Sequence, residues 1–86
     1  MTDDASITAE ILRQTGDLGP KKSITPEEVA RALAPDEATW RPLMHRVRIA
    51  ALALQATGQI EILRKGKPVP REEVRGVIRL RTCGGG

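Results

Sequence analysis

Apolar positions open the chain at helical spacing, with Ile7, Ile11 and Leu18 on one face and Leu12 beside them. Ser6 or Thr8 stands where a cap would accept from the first turn, so the pattern predicts an amphipathic helix over Ile7 to Leu18, ended by Gly16 to Pro20. Lys21 to Ile24 then offers a short extended piece. Thr25-Pro26-Glu27-Glu28 has the form of a capping box: Thr25 as N-cap, Pro26 where its missing N–H costs nothing, and Glu28 reaching back. The helix it opens runs through Leu33 and buries Val29, Ala30 and Leu33. Ala34-Pro35-Asp36 breaks it, and Asp36 caps a short turn from Glu37 to Trp40. A long helix follows, predicted to start near Trp40 or Arg41 because Pro42 disfavours a helical residue before it. It runs to about Thr57 and stops at Gly58.

Beyond Gly58 the period shortens to two. Ile60 and Ile62 point one way while Glu61 and Leu63 point the other; Ile78 and Leu80 face inward while Val77, Arg79 and Arg81 face out. The two runs predict a hairpin with a long connection, Gly66 to Gly76, in which Arg71 to Arg75 can form one helical turn. A lone hairpin is marginal and must pack on the helices. The order helix, short strand, helix, helix, strand, loop, strand is that of an α+β winged helix-turn-helix: three helices plus a C-terminal β-hairpin wing. One domain over residues 1–86 is expected, ordered from about 6 to 81, with 82–86 as a flexible tail.

Four blocks also carry a family resemblance: Lys22 to Pro35, Trp40 to Ala51, Gly58 to Val69 and Arg75 to Arg81. Together they resemble a family of small bacterial proteins of unknown function, over nearly the whole chain from Ile7 to Arg81. The resemblance implies a winged-helix fold and supplies no substrate, partner or catalytic residue.

Composition sharpens the picture. Among 86 residues there is no Phe or Tyr and one Trp, so the core is built from aliphatic side chains with Trp40 as its one large ring. The single Cys83 cannot form an internal disulfide, the acidic start is no signal peptide, and no apolar run approaches a membrane span, so a cytoplasmic location and no membrane are expected. The net charge of +3 conceals an asymmetry. Residues 1–40 hold four basic against eight acidic residues, a net of −4, and residues 41–86 hold ten against three, a net of +7. A basic half opposite an acidic half suits a polyanionic partner, although ordinary solubility produces the same pattern.

The cations fall on two elements. On the long helix, Trp40, Leu43, Met44, Val47, Ala50, Ala51 and Leu54 form an apolar stripe, and Arg41, His45 and Arg48 lie opposite with Arg46 beside them. In a helix-turn-helix the second helix enters the major groove, and arginine can bond a guanine edge or a phosphate with its planar fork. The outward positions hold no Asn, Ser or Thr and only Gln55 late in the helix, which favours phosphate contact over base reading. The competing account is a solvated face rich in good helix formers. On the wing, Arg64, Lys65 and Lys67 surround Gly66 and suit backbone contact, although lysines also protect sheet edges. Arg71 and Arg75 are set aside because Glu72 and Glu73 can neutralise them. Trp40 is read as a core plug rather than a base-stacking ring.

These residues predict binding of duplex DNA, with Arg41, His45, Arg46, Arg48, Arg64, Lys65 and Lys67 as the contacts, in a small regulator. The alternative is a protein-interaction module on the same scaffold. One histidine and one cysteine assemble neither a zinc site nor a Cys-His nucleophile, and no phosphate loop or carboxylate pair appears, so neither an enzyme nor a metal or cofactor site is expected. The tail through Gly84 to Gly86 resembles the Gly-Gly end of ubiquitin-like carriers, but those folds begin with a hairpin, so a frayed terminus and an exposed Cys83 are expected.

Overall fold

Asp3 sets the first helix. In the structure, a computed structural model that describes residues 2–83, α1 spans Asp4–Leu18 and begins earlier than Ser6 or Thr8 would allow. The Asp3 carboxylate accepts the Ser6 N–H at 2.8 Å, and its charge complements the helix N-terminus. Ile7, Ile11 and Thr15 form the buried stripe, whereas Leu18 is exposed. A spacing of four keeps Thr15 on the stripe, and its hydroxyl is satisfied by donating to the Ile11 carbonyl at 2.8 Å.

The expected capping box opens α2 (Pro26–Leu33): Thr25 accepts the Glu28 N–H at 3.2 Å, and Glu28 accepts the Thr25 N–H at 2.8 Å. Val29 and Ala30 are buried and Leu33 is half-buried. The expected short turn is a one-turn helix, α3 (Glu37–Trp40), which makes four helices rather than three among the described residues. Asp36 caps it through its backbone carbonyl, not its side chain. The long helix α4 spans Leu43–Ala56, so Trp40 belongs to α3 and the start predicted at Trp40 or Arg41 is too early. Arg41 takes helical angles despite the proline after it, but Pro42 has no N–H to give, and the ladder is interrupted there. At the other end Gly58, at φ 77°, donates to Gln55, and Gln59 donates to Leu54, closing the helix in a Schellman motif.

The sheet differs from the simple hairpin. Strand β1 (Ile60–Arg64) is central, with β2 (Lys67–Pro68) on one side and β3 (Arg79–Thr82) on the other, both antiparallel. The anticipated pairing of the two period-two runs is present, in the register Ile62↔Leu80 and Leu63↔Arg79. The added strand arises because the chain turns back at once after Arg64, pairing Arg64 with Lys67 and Leu63 with Pro68. Leu63, assigned outward by alternation, is buried, because a central strand is flanked on both sides and Pro68 and Arg79 lie next to it. Thr82, placed in the tail by the sequence, ends β3 opposite Ile60, and Cys83 is half-buried. The expectation for Gly84 to Gly86 lies outside the described residues.

On β3, Leu80 also exchanges both backbone hydrogen bonds with Ile24, at 2.8 and 2.7 Å, so the extended piece between α1 and α2 joins the sheet. Ile60, Ile62, Ile78 and Leu80 close the core against Ile7, Ile11, Val29, Val47 and Ala51, with Trp40 plugging its α3 end. The link from β2 to β3 runs beside α4: Gln55 donates to the Val69 carbonyl at 2.8 Å and Arg48 to the Gly76 carbonyl at 3.1 Å. Its one helical turn is a 3-10 turn at Arg71–Glu73.

Candidate nucleic-acid interface

The buried stripe of α4 follows its predicted register, with Leu43, Val47, Ala50, Ala51 and Leu54 inside and Met44 half-buried at its margin. That register fixes where the outward cations stand. Arg46 and Arg48 are two residues apart, roughly 200° around the helix, so they lie on opposite flanks. Arg46 meets α1, with Nη2 at 2.9 Å from Asp4 Oδ1, and Arg48 meets the β2–β3 link at Gly76. Arg41 pairs with Glu37 at 3.0 Å and lies over the Trp40 ring, 5.9 Å from its centroid. His45 is exposed on α4, whereas Arg41, predicted on that helix, precedes it as the C-cap of α3. Three of the four predicted helix contacts therefore already have a partner within the protein, and they do not form a single patch. Such exposed pairs are worth only ~0.2–1 kcal/mol and exchange readily for a phosphate.

The second cluster is arranged differently. Lys65 at φ 56° and Gly66 at φ 81° are both left-handed, as a two-residue type I′ turn between paired strands requires. Gly66 meets that demand freely, whereas Lys65 sits there at a cost of about 1–2 kcal/mol. Asn is the residue that ordinarily relaxes this position. Arg64, Lys65 and Lys67 are brought together around the bend, with Lys65 and Lys67 exposed and Arg64 half-buried. Among the described residues none of the three makes an ion pair, in contrast to Arg41 and Arg46. The base of this turn is held beside α4 by the Gln55 to Val69 hydrogen bond. Gln55 is thus a structural residue.

Neighbouring groups define the limits of the basic surface. Asp3 is held below the usual carboxylate range by the Ser6 amide, then by the Ser6 hydroxyl, with a smaller push from the Arg46 charge. Arg46 thus stands against an acidic helix start. Arg71 and Arg75, expected to be neutralised by Glu72 and Glu73, make no ion pair among the described residues. On the outer sheet face Arg79 donates to the Ser23 hydroxyl and carbonyl, and Arg81 pairs with Glu61 at 3.1 Å. Trp40 is buried, with Arg31 over its ring at 5.3 Å, which agrees with the core role. Among the described residues no three His, Cys, Asp or Glu side chains converge, and no helix is long and apolar enough to cross a membrane.

Two features escaped the sequence reading. One is the left-handed Lys65, which the adjacent Gly66 could have signalled. The other is Ile49, an exposed isoleucine on α4 that counting from the stripe places outward.

No curated protein matches the sequence. Residues 4–83 match a family described as a protein of unknown function (DUF3253), which covers all the helices and strands above. The chain belongs to that family.

Proposed function

We propose that the chain is a winged-helix domain that binds duplex DNA, chiefly through phosphate contacts, as a small cytoplasmic regulator in a bacterial cell with a binding rather than a catalytic role. The winged-helix reading is supported by the order of elements and by Ile24, which pairs with Leu80 as the short strand of that layout. The observation that carries the binding reading is the β1–β2 turn, where a lysine is kept in a left-handed conformation amid unpaired cations. In this reading Arg64, Lys65 and Lys67 grip the backbone, and Arg41, His45 and Arg48 on the helix side approach the groove. Arg46 contributes after exchanging Asp4 for a phosphate.

A titration of DNA affinity against salt tests this. Replacing Arg64, Lys65 and Lys67 together by Ala lowers the slope of log affinity against log salt by about 2 to 3, at roughly 0.9 per phosphate contact. Absence of binding at low salt sinks the reading and leaves the scaffold as a protein-interaction module.

A further inference from the structure

The outward face of α4 is apolar at its centre. Ile49 is 54% exposed, and its neighbours three and four residues away are His45, Arg46, Leu52 and Ala53. The hydrogen-bonding groups of α4 are largely engaged within the protein: Gln55 on Val69, Arg46 on Asp4 and Arg48 on Gly76. A protein docking surface buries about 800 Å² per partner. One isoleucine with the half-buried Leu52 and two exposed alanines, Ala53 and Ala56, flanked by Arg46 and Arg48, offers far less apolar area than that, even with the exposed Val77 beside Gly76 on the link. An apolar spot between cations instead matches a methyl group set between phosphate backbones. In the major groove only thymine carries one, at C5.

We propose that Ile49, supported by Ala53, reads thymine C5-methyl groups, so that the domain prefers thymine-bearing duplexes. This inference rests on the DNA-binding reading and adds a base preference to it. The phosphate contacts supply affinity for any sequence, and Ile49 supplies the difference between base pairs.

The test compares a short alternating adenine–thymine duplex with the same duplex carrying uracil, by fluorescence anisotropy at low salt. The thymine duplex should bind tighter by about three- to fourfold per methyl contacted. With Ile49→Ala, folded by far-ultraviolet circular dichroism, the ratio should fall to about one. An alternating guanine–cytosine duplex should gain affinity when its cytosines are 5-methylated. Equal wild-type affinity for thymine and uracil duplexes overturns the inference while leaving DNA binding intact. A uracil penalty without a methylcytosine gain assigns the effect to duplex shape and overturns it too. Failure to bind either duplex overturns the DNA-binding reading, and this inference with it.

Discussion

Lys65 is strained within its own turn. Its left-handed backbone at φ 56° is a position where Asn is relaxed and lysine is strained. The turn would close more easily without the lysine, and on the proposed reading its charge serves phosphate contact instead. Lys65→Asn should therefore raise stability by about 0.5–1 kcal/mol, a few degrees in melting temperature for a domain of this size. The same variant should weaken DNA binding and lower the salt slope by about 0.9. A melting temperature that falls, or a DNA affinity that holds, would contradict this account of the turn. Arg41, Arg46 and Arg48 show the opposite case, since each has a partner within the protein that a ligand must displace.

Among the elements, α1 has two carboxyl groups held below their ordinary range, one at its N-cap and one on its face. The Asp3 carboxyl is lowered by the Ser6 amide and hydroxyl, and the Glu10 carboxyl by its hydrogen bond with Arg13 and a second from Gln14. Both groups bind protons more weakly folded than unfolded, so the stability they add is present above the ordinary carboxylate range and lost as pH falls through their lowered values. Thermal melts followed by circular dichroism should be flat from neutral pH down to about 5, then fall below about 4. Asp3→Asn keeps a capping oxygen and removes a titrating group, so its melting curve should fall less steeply in acid. A wild-type melting temperature that rises on acidification would reverse the sign and refute this.

Across the whole molecule, charge is folded back on itself. The acidic first half meets the basic second half where Arg46 closes on Asp4, while Arg81 pairs with Glu61 inside the basic half; among the described residues Arg64, Lys65 and Lys67 make no ion pair. On the proposed reading, Asp4 competes with a phosphate for Arg46. Neutralising it with Asp4→Asn should spare Arg46 that exchange and raise DNA affinity severalfold at low salt. Equal affinities for wild type and variant would show that Arg46 stays outside the interface.

The sequence by itself determined the local pieces. The Thr25 box, the Gly58 stop, the α4 stripe and the two period-two runs around Ile62 and Leu80 are each written in nearby residues, because capping, left-handed glycine and periodicity act over a few positions. What it could not place were features decided by distant partners. The start of α1 depended on which of several caps won, and β2 is too short to carry an alternating pattern. Leu63 is inside because two neighbouring strands flank it, and Thr82 is a strand residue because Ile60 lies opposite. For the candidate site, the residue types were legible and the grouping was not. Only the fold seats Arg46 on Asp4 and Arg48 on Gly76 and spends Gln55 on the link to Val69, because these are the contacts of packed elements rather than of neighbours along the chain.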